Sequence, residues 1–230
     1  MPAQLFGIEH ILYIILSTVL GSVTLLCARK LAKTERSQEV FLRILAAFLF
    51  VAIMTNRLSQ VFRYDDAQWY RIIPDSYCGI TSLLLSLSVL LGKRDNGGLH
   101  FTWLLGIFGG ISTVIYATFV EQGPTIFYLP TISGLLHHSL SAMTVVAVLM
   151  FGYIDITYKK WYYTLFALTS YITVGAFLMQ TFDLSDAFHI AEPLLPNTPL
   201  TVWVMAPMYA VAYALILLIA EIIKRKQMKK

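Results

Sequence analysis

Residues 8–31 read IEHILYIILSTVLGSVTLLCARKL, and no charged side chain stands between Ile11 and Ala28. A helix needs about 20 mostly apolar residues to cross the hydrocarbon core of a bilayer, and this stretch supplies them. Its basic residues, Arg29 and Lys30, follow the apolar run, the reverse of a cleaved secretory signal. It therefore reads as a retained first span. Six more stretches of the same kind follow, at about 40–61, 77–91, 101–120, 127–154, 161–181 and 201–223. The third is the shortest, and its start could reach back toward Asp75.

The rest of the composition agrees. Of 230 residues, 57% are hydrophobic and 13% charged, with mean hydropathy +0.69; a soluble globular chain carries about 25% charged residues. A soluble domain, a disordered tail and a disulfide-stapled secreted module are excluded. The sequence predicts one all-α integral membrane domain over residues 1–230, a bundle of seven transmembrane helices.

Basic residues orient it, because Lys and Arg concentrate in cytoplasmic loops. Arg29, Lys30, Lys33 and Arg36 lie in the first loop, Lys93 and Arg94 in the third, and Lys159 and Lys160 in the fifth. The tail adds Lys224, Arg225, Lys226, Lys229 and Lys230. The alternate loops hold only Arg63 and Arg71, beside Asp65, Asp66, Asp75, Glu121, Asp183, Asp186 and Glu192. An odd number of spans, with the N-terminus outside and the C-terminus cytoplasmic, puts every basic loop on one side. The formal charge of +4 is thus a topology signal. With no basic patch interleaved with aromatics, it does not predict nucleic-acid binding. The outer loop 182–200 contains Pro193, Pro196 and Pro199, which predicts an extended cap over the outer mouth.

Polar residues inside spans mark a bundle interior or a wet cavity. Here they gather in the outer half: Glu9 and His10 in the first span, Asn56, Arg57, Gln60 and Arg63 ending the second, and Asp75, Ser76 and Cys78 opening the third. His137 and His138 lie in the fifth and Gln180 ends the sixth. An outward polar cavity follows. Ser133, His137 and Ser141 recur at i, i+4 on one helix face. So do Cys78, Ser82 and Ser86, and also Asn56, Gln60 and Tyr64. The stripe Gly106, Gly110, Thr113 and Ala117 predicts a close helix–helix seam.

Two cysteines are present. By topology Cys27 and Cys78 lie on the order of 20 Å apart, beyond disulfide reach, so both are expected to be free thiols. Cys27 reads as a small buried hydrophobe. Cys78 stands at a helix N-terminus, where the dipole favours a thiolate. With a nearby histidine it forms the minimum machinery for nucleophilic acyl transfer, against the bland alternative of simple packing. Adjacent helical residues point about 100° apart, so at least one of His137 and His138 faces the interior, as base, as interhelical glue, or as a metal ligand with His10 or His189. Arg57 is expected to pair with Asp75, either as a structural ion pair or as an anchor for a phosphate head group.

Several short motifs then resemble a family. Phe6-Gly7-Ile8-Glu9-His10 is similar to the Phe-x-x-x-His opening of the YwaF-type bacterial integral membrane proteins, relatives of the animal lipid acyltransferase transmembrane protein 164. Ile73-Pro74-Asp75-Ser76-Tyr77-Cys78 resembles that family's Leu-Pro-Leu-His-Leu-Cys, with Ser76 in place of the histidine. Leu129-Pro130-Thr131 and His137-His138-Ser139-Leu140 resemble its Pro-Ser/Thr segment and its Ser-His-Gly-Leu run, with Ser139 in place of the glycine. Pro207 and Tyr209 in the last span complete the pattern. The resemblance implies acyl transfer between membrane phospholipids through a thioester on Cys78, with His138 as base and His137 the alternate. Tyr77, backbone N–H groups at the start of the third span, Asn56 or Arg57 would hold the oxyanion, and no cofactor or metal is implied. The competing expectations are a non-catalytic transporter or receptor whose outer pocket uses Arg57, His137, His138 and Gln180, and an accessory subunit.

Overall fold

In the computed structural model, which describes residues 5–63 and 66–227, seven helices follow one another and the described residues contain no strand. They are α1 (Ile8–Leu31), α2 (Glu35–Val61), α3 (Tyr77–Leu91), α4 (Gly97–Ile115), α5 (Leu129–Met150), α6 (Tyr162–Phe182) and α7 (Val202–Gln227). Six of them are long and apolar enough to cross a membrane, and α3, with 15 residues, is the shorter exception. Tyr64, Asp65, Lys229 and Lys230 lie outside the described residues.

Where helix ends depart from the apolar blocks, a polar cap is the reason. α2 begins at Glu35, not Val40, because Thr34 and Ser37 form a reciprocal capping box: Thr34 Oγ1 accepts from Ser37 N at 3.2 Å and Ser37 Oγ from Thr34 N at 3.1 Å. Asn96 accepts from Leu99 N at 3.2 Å and starts α4 four residues early; α4 then ends at Ile115, and the chain tightens into a 3₁₀ turn at Ala117–Phe119. Ser76 accepts from Gly79 N at 3.3 Å, which fixes the start of α3 at Tyr77 and not near Asp75. α5 is shorter than its apolar block and stops at Met150, two residues before Gly152 in the left-handed region (φ +57°).

α5 is the central helix, packed on α2 and α4, with α3 lodged between those two; α6 leans on α4, and α1 and α7 are peripheral. The main core joins Leu42, Leu45 and Leu49 of α2 to Leu85 and Val89 of α3, Leu99 and Trp103 of α4, and Val145 and Val148 of α5. The expected small-residue seam is present. A Cβ on Gly106 would come within 2.9 Å of Val145 Cγ2, and one on Gly110 within 2.6 Å of the His138 carbonyl oxygen. Cys27 does not pack inside; it is exposed on the outer face of α1. Hydropathy cannot separate a lipid-facing residue from a core residue, since both surroundings are apolar.

Loop 182–200 corrects a second expectation. Phe188 is buried, stacks on Tyr171, meets Tyr77 edge-on, and donates its N–H to the Asp75 carbonyl at 2.9 Å. The loop thus caps the groove between α3 and α6, and none of its residues lines the polar cavity described below.

At the opposite end, Asp95 ties two turns together. Its carboxylate meets His100 Nε2 at 2.7 Å, Lys160 Nζ, and the N–H of Asp155 at 2.9 Å, while its own N–H donates to Tyr153 O at 2.9 Å. His100, within α4, shows that the spans are not purely apolar at this end. Burial pushes the Asp95 carboxyl up, but Lys160, the Asp155 N–H and His100 together outweigh it and hold the group below the usual carboxylate range. A depressed carboxyl stabilises the fold above its unfolded value, about 3.9, and that contribution disappears as pH falls through the lower folded value. The Asp95 side chain is 37% exposed, so solvent screens these interactions, and Asp95→Asn is expected to cost about 1 kcal/mol at pH 7. The gap from the native chain should close below about pH 4, as read by thermal unfolding in detergent at both pH values.

Candidate functional site

The polar stripe of α5 is answered helix by helix. Ser133 Oγ accepts from Asn56 Nδ2 of α2 at 3.3 Å, and Asn56 also donates to Pro130 O at 3.1 Å. His137 Nδ1 lies 3.2 Å from Ser82 Oγ of α3, and Ser141 Oγ donates to Gly106 O of α4 at 3.3 Å. Both histidines are buried, with ring centroids 4.2 Å apart. A polar group in an apolar interior is costly unless bonded, so this ladder fixes the rotation of α5 as well as its place.

Above the histidines, a cavity of about 410 Å³ lies where α2 ends and α3 and α5 begin. Asn56, Arg57, Gln60, Asp75, His137 and His138 line it, as the sequence suggested. Arg57 is buried; its Nη1 lies 3.2 Å from Asp75 Oδ1 and its Nε donates to Arg71 O at 2.9 Å. The expected pair is thus formed, at the cavity wall. Gln60 Nε2 donates to Glu121 Oε2 at 2.7 Å, and Arg63 Nη1 stands 3.2 Å from the same oxygen.

Arg63 and Ser76, polar residues of the outer half, belong to this wall too, as do Glu121 and Arg71, which the sequence reads only as loop charges. What brings Glu121 in is the α4–α5 loop folding back: Thr131 Oγ1 donates to Glu121 O at 2.6 Å and accepts from Gly123 N at 3.0 Å, and Glu9 accepts from Ile126 N at 2.8 Å. No periodicity announces such a turn.

Three residues expected at the cavity lie elsewhere. His10 accepts from Phe6 N through Nδ1 at 3.1 Å, which leaves Nε2 as the donor to Val114 O at 2.9 Å; it staples α1 to α4. Tyr77 stands in an aromatic cluster with Tyr171 and Phe188, on the other side of α3. Gln180 is exposed on α6. His189 pairs with Asp186 at 3.8 Å, and among the described residues no three His, Cys, Asp or Glu side chains gather as a metal site.

Cys78 does not line the cavity, although the next residue, Gly79, does. Its thiol points to α4, where it hydrogen-bonds the Thr113 side chain and lies 2.8 Å from the position a Gly109 Cβ would take. His138 reaches the same glycine from α5 and hydrogen-bonds its backbone. His138 Nδ1 is buried without a hydrogen-bond partner. The thiol and the imidazole therefore converge on Gly109, with Thr113 as the thiol's own partner. Comparison with family models, with curated proteins and with solved structures finds no match for this chain.

Proposed function

We propose that this chain is a cell-membrane protein that crosses the bilayer seven times, N-terminus outside, and transfers an acyl group between membrane phospholipids through a thioester on Cys78. The topology is supported by the succession of seven helices and by basic residues concentrated in alternate turns. One observation carries the chemistry: Cys78 and His138, from separate helices, both reach Gly109, and His138 Nδ1 is buried without a hydrogen-bond partner. An unpartnered ring nitrogen is the group a general base needs.

The steps balance without a cofactor. His138 takes the Cys78 proton; the thiolate attacks an ester carbonyl of the donor lipid, a C–S bond forms and the C–O bond breaks. The leaving alkoxide takes the proton from the imidazolium. An acceptor hydroxyl then gives its proton to His138 and attacks the thioester; the C–S bond breaks, and the leaving thiolate takes that proton back from the imidazolium. Arg57 at the cavity wall suits a lipid phosphate.

A second reading, a cavity that binds a polar ligand without covalent chemistry, draws on the absence of Cys78 from the cavity lining. Acyl trapping separates the two. Purified protein incubated with phosphatidylcholine carrying a labelled acyl chain is expected to gain hydroxylamine-labile label, and Cys78→Ala to gain none. Native protein that stays unlabelled while retaining the lipid would establish the binder.

A further inference from the structure

A second hollow, of about 710 Å³, lies at the end of the bundle away from the histidines, between the α5–α6 turn and the last turns of α7. Lys159, Lys160 and Lys224 face it, against the carboxylates of Asp155 and Glu221. Those carboxylates are already engaged, Asp155 by Lys224 and Glu221 by Arg225 at 3.0 Å. Lys160 is held by Asp95 from the neighbouring turn. Among the described residues, Lys159 has no carboxylate partner, so one positive charge at the hollow is uncompensated.

The surroundings say what kind of anion fits. Tyr158 lines the hollow, and Trp161 and Tyr162 are exposed on the following turn. Exposed Trp and Tyr beside cations are the pattern of the head-group layer. From this level, Ile219 and Ile222 of α7 present exposed apolar side chains along the bundle, and α6 touches α7. A soluble anion has no use for such a surface, whereas lipid tails cover it.

We propose that this hollow binds the phosphate head group of an anionic phospholipid, with Lys159 as its available cation and the α6–α7 face as the seat of its acyl chains. Basic pockets between transmembrane helices recognise anionic head groups in this way. The site is separate from the histidine cavity and does not depend on acyl transfer.

Retained lipid tests it. The full chain is placed in nanodiscs of phosphatidylcholine and phosphatidylglycerol at a known ratio, released in mild detergent, and its bound lipids are counted by native mass spectrometry. Phosphatidylglycerol is expected to exceed its bilayer share. Lys159→Gln should reduce that enrichment about fivefold, the worth of one lysine at a membrane surface, with an unchanged thermal midpoint, and Lys159→Arg should keep it. Retention at the bilayer ratio, or undiminished enrichment in Lys159→Gln, overturns the proposal. Soluble glycerol phosphate displacing the retained lipid at equal concentration also overturns it, by making the hollow a site for free anions.

Discussion

Gly110→Ala is expected to unfold about 1–3 kcal/mol more readily than the native chain, although alanine is the better helix former by about 1 kcal/mol. The added methyl would stand 2.6 Å from the His138 carbonyl oxygen and 3.0 Å from both the Cβ and the backbone nitrogen of Ala142. Two of those three atoms are backbone and cannot step aside by a change of rotamer. α4 and α5 must separate, and the ladder of bonds from Ser141 to Gly106 goes with them. A bulkier residue such as valine should prevent folding. Gly21→Ala is the control: its methyl meets only Met143 Sδ at 3.8 Å, an ordinary contact. That variant should be neutral or slightly more stable, through helix propensity alone. Denaturation in mixed detergent micelles, followed by circular dichroism, reads both. Equal stability of Gly110→Ala and the native chain would refute the close seam.

His138→Ala is expected to slow transfer of acyl groups from the Cys78 thioester by 10²–10⁴-fold, the usual contribution of a positioned general base. His137→Ala should cost far less, because its Nδ1 is engaged with Ser82. Single-turnover measurements on trapped thioester distinguish the two, since loss of acceptor attack leaves the label stranded on Cys78. Gly109→Ala provides a second probe. Its methyl would lie 2.8 Å from the thiol sulfur and press Cys78 away from the shared contact point, which should lower label formation without removing either reacting group. An equal loss in both histidine variants would turn the pair into a packing feature and favour the ligand-binding reading.

The helices were legible because lipid-facing and core residues are both apolar, and seven apolar blocks are hard to mistake. The same sameness hid which side each helix turns inward, so Cys27 was expected inside and lies outside. Helix starts at Glu35 and Gly97 were missed because Thr34 and Asn96 act through hydrogen bonds that hydropathy does not weigh. On α5, i, i+4 spacing alone located Ser133, His137 and Ser141, since a rigid helix fixes their common face. The neighbour of Cys78 was not legible. That Thr113 holds the thiol depends on how α3 and α4 are rotated about their axes, a tertiary fact. His10 shares the depth of the cavity residues, but depth does not give azimuth, and its ring closes on Val114 instead.

The brevity of α3 bears on how a substrate reaches these groups. Fifteen residues rise about 22 Å at 1.5 Å each, roughly 8 Å less than the hydrocarbon thickness. Non-helical backbone at that depth persists only when protein covers it, and here Arg57 and Phe188 cover it, through hydrogen bonds to Arg71 O and Asp75 O. On the proposed seven-span topology the leaflet beside such a truncated segment would dimple inward, a local hydrophobic mismatch. Ester linkages at the base of that dimple would start closer to the imidazoles, which shortens the path a phospholipid travels in the proposed transfer.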